Sequence, residues 1–258
     1  MANVLITGCR GGIGLEVAKR LVLADHFVFI TVHDKESITR TYAQFSERKE
    51  NINVFKLDIL DEIDREKIRD LNIDVLINNA AIGDSGPLVD IPIVRVKKTF
   101  DTNVFATLSL TQLVIRKMIK NRQGRVLFIG SMAGLIPMPF LAPYSMTKFA
   151  LEGMVDALRK EIKPFGINII MINPGSFHTG FNQKNMMKKY SWMNINSYDH
   201  AYLNFIKKEE KKLSLIELKK VSKIAKKIVQ AVQSDRPKKR YVAPLWQWIF
   251  VLLLKLFK

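Results

Sequence analysis

N-V-L-I-T-G-C-R-G-G-I-G, Asn3 to Gly14, opens the chain with an apolar run, a glycine-rich turn and the start of a helix. Asn3–Thr7 reads as a strand covered on both faces, because Val4, Leu5 and Ile6 follow one another without a polar break. Gly12–Ala24 reads as a helix with Ile13, Val17, Leu21 and Ala24 on one face. Between them, Gly8, Gly12 and Gly14 permit backbone angles that a side chain forbids. They also let the main chain approach a pyrophosphate at the helix N-terminus. A glycine loop set between a first strand and a first helix is the context in which this pattern points to a dinucleotide. The alternative is a tight turn without a ligand.

Working outward, the same alternation continues. Phe27–Val32, Asn53–Lys56, Asp74–Ile77, Arg125–Ile129 and Asn168–Ile172 are further short, continuous, β-rich runs. Helical stretches lie between them: Ser37–Lys49, Asp61–Asp70, Ile93–Arg122 as two helices, and Pro143–Lys163, stopped by Pro164 and Gly166. Strand and helix in alternation predict an α/β fold of Rossmann type, a doubly wound parallel sheet with helices on both faces. Leu213–Gln233 is expected to be one helix, with Leu215, Leu218, Ile224, Ile228 and Val232 apolar, and Arg240–Ala243 a last short strand. Residues 1–243 are therefore read as one dinucleotide-binding domain, with 181–212 as a segment over a site and 244–258 as an apolar and basic tail.

The 258 residues carry a net charge of +17, unevenly spread. From Phe181 to Lys258 there are 18 Lys+Arg against 5 Asp+Glu, a net of +13, whereas the part before it carries only +4. Nucleic acid, an anionic membrane surface and acidic substrates are the partners such a bias allows. The Lys-rich helices lack stacking platforms or a reading motif, which argues against nucleic acid. A single cysteine, Cys9, rules out an internal disulfide and fits a reducing, cytoplasmic location. Its place in the glycine loop reads as packing rather than redox chemistry. His26, His178 and His200 are scattered, with no second ligand at metal spacing, so no metal is expected.

The second strand selects the dinucleotide. An acid at its end holds the ribose 2′-hydroxyl of NAD, and a basic group there meets the 2′-phosphate of NADP. The run T-V-H-D-K places Val32 where the acid is expected, with His33 next to it, and Arg10 and Lys35 add positive charge. This favours NADP. Asp34 dissents, and NAD is preferred if it points inward.

Tyr144 lies thirteen residues after Ser131, and Lys148 follows it by four. That spacing puts Tyr144 and Lys148 on one helix face. A phenol titrates near pH ~10, and a neighbouring ammonium favours its anion, which makes the pair a tuned general acid/base. The alternative is a structural Tyr and Lys. The motifs T-G-x-x-x-G-I-G, N-N-A-A (Asn78–Ala81), Asn103 in D-T-N-V-F, Ser131, Y-x-x-x-K and P-G-S-F-H-T (Pro174–Thr179) are together similar to the short-chain dehydrogenase/reductase family, from the first strand to about Tyr241.

The resemblance implies roles residue by residue. Tyr144 exchanges the proton with the carbonyl or alcohol, Ser131 positions that oxygen, and Lys148 lowers the Tyr144 pKa and holds the nicotinamide ribose. Both Ser131 and Tyr144 thus touch substrate. Asn103 anchors a water leading from Lys148 to solvent. On the cofactor side the resemblance implies Gly8, Arg10, Gly12, Ile13, Gly14 and His33, then Asp58 and Ile59 at the adenine. Asn79 and Ala80 come beside the adenosine ribose, and Pro174, Gly175 and Thr179 at the nicotinamide. Ala81 departs from the family's usual glycine and removes no chemical group. Residue by residue, blander alternatives remain: Asn103 stitching two strands, Ser131 as a strand-end cap, Asp58 as a helix cap.

Within the family, the stretches Gly86–Pro92, Asp101–Gln112 and Ser234–Tyr241 resemble the branch of hydroxysteroid and retinol dehydrogenases and lipid-precursor ketone reductases. That implies a small apolar substrate. Phe181, Met186, Met187, Tyr190, Trp192, Met193 and Tyr198 in the lid suit an adaptable apolar pocket. The tail carries Trp246, Trp248, Phe250, Leu252–Leu254 and Phe257 with lysines beside them, a composition suited to the surface of an anionic membrane. Folding back over the pocket or packing in a dimer are the alternatives. Pairing through the long helices near Asn103 and Tyr144, as a homodimer or larger homo-oligomer, is implied by the resemblance.

Overall fold

The computed structural model describes residues 1–181, 192–194, 196, 198 and 200–256. Strands β1 (Asn3–Ile6), β2 (Phe27–Val32), β3 (Ile52–Lys56), β4 (Val75–Asn78), β5 (Gly124–Ile129), β6 (Ile167–Pro174) and β7 (Arg240–Ala243) form one sheet in the order β3-β2-β1-β4-β5-β6-β7. Every neighbouring pair is parallel, and Leu5 of β1 sits between Phe29 and Leu76. Parallel strands need crossover helices, which cover both faces, so continuous apolar runs are what the sheet demands. On one face Val4, Ile6, Ile30 and Ile77 pack with Val17 and Leu21 of α1 (Gly12–Leu23) and with Ile224 and Ile228 of α8 (Ser222–Gln233). On the other, Leu5, Leu76 and Phe128 pack with Leu110 and Val114 of α5 (Thr107–Asn121) and Leu151 and Val155 of α6 (Ala142–Glu161). Strand order reverses between β1 and β4, which opens a crevice at their C-terminal ends.

The expected doubly wound sheet is present, Ile93–Arg122 forms two helices as expected, and three other helical expectations are corrected. Ser37–Lys49 is not one helix: α2 covers Glu36–Tyr42 and a 3₁₀ turn Lys49–Asn51. The stretch has no apolar stripe, and Phe45 beyond the helix end supplies the buried anchor. Asp61–Asp70 reduces to α3 (Glu62–Glu66), capped by Asp61, whose side chain accepts from the Ile63 and Asp64 N–H groups. Ile93–Arg122 is α4 (Ile93–Phe100) and α5 joined by a π-helical stretch, Asp101–Ala106, that contains Asn103. Leu213–Gln233 divides into the end of α7 (His200–Leu215) and α8. Leu215 is 75% exposed, while Leu218 pairs with Phe177 in a short parallel bridge, so their apolar spacing was not helical. His200–Lys212, within the span 181–212, forms the body of α7.

Candidate active site

The glycine loop takes its shape from its neighbours. Gly8 has φ +71°, and a Cβ there would come within 2.8 Å of the Ala80 Cα. At Gly14 a Cβ would lie 2.6 Å from the Asn79 amide nitrogen. Thr7, which the sequence does not single out, is the tie: its Oγ1 accepts from the backbone N–H of both Asn79 and Ala80, at 2.9 Å each. The Asn79 amide donates to the Thr7 and Gly8 carbonyls at 2.8 and 3.0 Å. Asn79's side-chain donor therefore clamps the loop onto the end of β4. The first turn of α1 has no side-chain cap and no acid, and open space lies where a Cβ of Gly11 would stand. Free N–H groups, the helix dipole and open space fit the pyrophosphate of a dinucleotide. Ile13, just inside the helix, packs partly buried against the core. Cys9 is fully buried, and burial pushes its thiol up to about 12, which fits packing.

At the end of β2, Val32 is buried and Asp34 gathers three partners. The Asp34 carboxylate meets Arg10 at 3.2 Å and His33 at 2.7 Å, and accepts from the Ser37 N–H at 2.8 Å. The Ser37 hydrogen bonds, helped by the two basic side chains, hold its pKa below the usual carboxylate range. Arg10, His33 and Asp34 thus converge at the β2 end as one cluster. After β3, Asp58 accepts from the Leu60 N–H at 3.0 Å, and Ile59 is buried behind it. Asp58 does not cap α3; Asp61 does. Asp64 is the residue that sequence reading missed here. Its buried carboxylate takes Lys56 at 2.6 Å, Lys67, and the Asp58 N–H at 2.9 Å. Burial pushes its pKa up, but the bonds from Lys56 and Lys67 outweigh it and bring the value to about 2. A single Asp in a charged stretch gives no signal of such a role.

Ser131, Tyr144 and Lys148 meet at the C-terminal end of β5. Ser131 leaves the strand with its Oγ accepting from the Ala133 N–H at 3.1 Å, and its hydroxyl bears on Tyr144 in the direction that lowers the phenol pKa. Tyr144 and Lys148 share a face of α6, with the Lys148 Nζ 5.5 Å from the Tyr144 ring centre. Lys148 is 3% exposed and donates to the Ile129 carbonyl at 2.8 Å. The electrostatics differ from the sequence expectation. Burial pushes the phenol up to about 12 against the Ser131 hydrogen bond, and burial brings the ammonium down to about 8 against the pull of Glu152. Desolvation penalises both charged forms, so Lys148 does not by itself yield a low phenol pKa.

Asn103 is 1% exposed. Its Oδ1 accepts from the Ile82 N–H, and its Nδ2 donates to the Ile82 carbonyl, both at 2.8 Å, and to Thr147 Oγ1 at 3.1 Å. The side chain stitches the loop after β4 to α6 beside Lys148. This is the bridging role, and both amide hydrogens are used within the protein. A π turn inside a helix often marks a functional position, because it pushes one residue out of the regular ladder.

The chain after β6 returns over the glycine loop. A Cβ on Gly12 would stand 3.0 Å from the Thr179 Cβ, and Thr179 Oγ1 accepts from the Phe181 N–H at 3.2 Å. Pro174 ends β6, and the Gly175 N–H donates to the Ala243 carbonyl at 2.8 Å. Phe181 lies 5.5 Å from the Tyr144 ring. Trp192 covers Gly86, Met193 is buried, and Tyr198 donates to Asp90 at 2.6 Å. Phe140, Tyr202 and Phe205, which carried no expectation, form an aromatic cluster with centroids 5.5 to 6.0 Å apart. Met186, Met187, Tyr190 and Phe257 lie outside the described residues.

The chain is similar in sequence and in fold to known proteins. Residues 2–189 match the family model described as short chain dehydrogenase. A Bacteroides thetaiotaomicron 3-ketodihydrosphingosine reductase is 31% identical over 96% of this chain and 90% of its own. Human 17-beta-hydroxysteroid dehydrogenase type 1 is 35% identical over 70% of this chain, which spans 58% of that protein. Among solved structures, ElxO with NADP bound superposes with a TM-score of 0.76 at 28% identity, over 94% of this chain and 96% of that one.

Proposed function

Because the chain belongs to the short-chain dehydrogenase family, we propose that this oxidoreductase uses NADP(H) to interconvert a carbonyl and an alcohol on an apolar, lipid-like substrate. The observation that carries the reading is the meeting of Ser131, Tyr144 and Lys148 at the C-terminal end of β5, the same edge of the parallel sheet at which the glycine loop follows β1. A nicotinamide dinucleotide supplies the hydride. The chain's residues do the rest. Gly8, Gly12 and Gly14 bring backbone N–H groups to the pyrophosphate, and Arg10 and His33 face the 2′-phosphate. Asp58 and Ile59 border the adenine, and Pro174, Gly175 and Thr179 border the nicotinamide. Ser131 aligns the substrate oxygen. Tyr144, a phenol that keeps its proton at neutral pH, gives that proton to the oxygen during reduction and takes it back in the reverse direction. Lys148 faces the ribose and the phenolate that forms.

The aromatic set of Phe140, Phe181, Tyr202 and Phe205 supports an apolar substrate. So do the steroid and ketosphingoid named for the two relatives. The structural neighbour with bound NADP and the buried Val32 at the β2 end support NADP. The NAD reading rests on Asp34, which stands at the same strand end. Pairing of two copies through the long helices completes the proposal, because Phe105, Met146 and Phe149 are exposed there.

Titration with NADPH and NADH tests the first half. Tighter NADPH binding, weakened by Arg10→Ala, is expected; tighter NADH binding that Arg10→Ala leaves unchanged assigns the site to NAD. Tyr144→Phe tests the second half. NADPH binding is expected to persist while turnover of a long-chain or steroid ketone falls by about 10²–10⁴-fold. Equal turnover in both proteins would remove Tyr144 from the chemistry.

A further inference from the structure

The chain between β6 and α8 leaves and re-enters the fold through a narrow neck. At the neck Phe177 pairs with Leu218, the His178 N–H donates to the Leu218 carbonyl at 2.9 Å, and the Leu218 N–H donates to the Ser176 carbonyl at 3.0 Å. One side chain from outside bonds both limbs. Gln247, in α9 (Leu245–Leu256), is buried; its Oε1 accepts from the Ser176 N–H at 2.9 Å and its Nε2 donates to the Ile216 carbonyl at 2.8 Å. The fit is close, since a Cβ on Gly175 would stand 1.9 Å from that Oε1. On the same helix, Trp248 lies under the Arg240 guanidinium at 5.8 Å and packs on the cluster of Met132, Ile136 and Val251, directly after Ser131. One side of α9 is thereby fixed to the rim of the candidate active site.

The other side is apolar and uncovered. Only Gln247 and Lys255 are polar in the whole helix. Trp246, Ile249, Phe250 and Leu253 are about half exposed, between 48% and 57%. A helix that is apolar all round belongs in a core or in lipid, and a contiguous exposed apolar face marks a docking surface. Twelve residues span about 18 Å, short of the ~30 Å hydrocarbon core. No helix among the described residues is long and apolar enough to cross a membrane. Interfacial burial suits a helix of this length and apolar character. Charge selects the partner. Exposed Lys219 and Lys220 follow the Ile216 contact, and exposed Lys238 and Lys239 lead into β7, which packs on α9. The last 78 residues carry the net +13. A second copy would bring like charge to this face; anionic headgroups neutralise it.

We propose that the exposed face of α9 docks on an anionic lipid surface, with Gln247 holding the neck of the substrate-side excursion against that surface. The docking stands on its own; delivery of an apolar substrate from the lipid into the site rests on the oxidoreductase reading above. The experiment is co-sedimentation of the full chain with phosphatidylcholine vesicles, with and without phosphatidylglycerol, and light scattering of the protein alone. Wild type is expected to pellet with the phosphatidylglycerol vesicles and to be released in part by salt. Ile249→Glu/Phe250→Glu should remain in the supernatant with NADPH binding unchanged. Lys219→Glu and Lys220→Glu, which leave the apolar face intact, should each weaken vesicle binding by roughly fivefold or more. Equal sedimentation of wild type and the double variant overturns the proposal. So does a double variant that only loses half its mass in light scattering, because α9 would then be a contact between copies. Loss of NADPH turnover in Tyr144→Phe with vesicle binding intact separates the failure of one reading from that of the other.

Discussion

Buried Lys148 and half-buried Tyr144 sit side by side at the centre of the site, and desolvation moves their pKa values in opposite directions. Lys148 in the folded chain holds its proton only to about pH 8, whereas an unfolded lysine holds it to about 10.4. Between these values the unfolded chain binds more protons, so stability from this group rises with pH. The cost of the buried cation at neutral pH is of the order of 3 kcal/mol and fades towards pH ~10. Lys148→Met removes that cost and leaves the Ile129 carbonyl without its donor, which costs about 1–3 kcal/mol at every pH. The expected result, read by thermal melts from pH 7 to 10, is a stability difference that moves steadily in favour of wild type as pH rises. A difference constant with pH would mean that Lys148 is not the titrating group. Tyr144 acts the other way: its folded pKa of about 12 keeps the proton where the unfolded phenol has lost it, so its effect on stability turns unfavourable to folding only above pH ~10. Within the working range the phenol is a proton donor, the form that carbonyl reduction requires.

Elements separate what could be read in the sequence from what could not. Gly8, Gly12, Gly14 and the Tyr144–Lys148 pair were legible because each signal is local: a turn needs glycine, and a spacing of four shares a helix face. Partnerships across elements left no such mark. Glu152 of α6 pairs with Arg240 of β7 at 2.7 Å and accepts from Asn173 of β6 at 2.6 Å, and Asn173 also donates to the Ser131 carbonyl at 3.1 Å. Three distant segments thus support the backbone of Ser131, and none of the three was singled out. Gln247 was equally silent, a lone amide in an apolar tail read for its hydrophobicity. Its two bonds join α9 to both limbs of the neck. Gln247→Leu keeps the bulk and removes both hydrogen bonds, to the half-buried Ser176 N–H and to the carbonyl of exposed Ile216, at about 0.5–1.5 kcal/mol each. The expected readout is faster hydrogen exchange at Phe177, His178 and Leu218, with the β1–β4 core unchanged. Exchange that stays slow at the neck would show that the Phe177–Leu218 bridge holds without the clasp.

Across the whole molecule the charge and the exposed apolar groups divide into two faces with different destinies. The first 180 residues carry a net of only +4, and they hold Phe105 on the π stretch and Met146 and Phe149 on α6, all exposed although these helical segments pack together. Apolar groups on a nearly neutral surface can meet their own copy without charge opposing it, and a two-fold axis would place each patch on itself. The α9 face, in the strongly basic last third, meets the opposite condition. The two faces therefore predict separable behaviour. Phe105→Glu/Phe149→Glu puts like charges against each other across a two-fold contact, and the expected result in light scattering is a fall from the dimer mass to that of one chain of 29.6 kDa. The same variant should still pellet with phosphatidylglycerol vesicles, because α9 is untouched. A mass unchanged by the substitutions would mean that copies do not pair through these helices. Loss of vesicle binding together with mass would mean that lipid docking needs two α9 helices at once, as expected where two weak interfacial anchors act through their effective concentration.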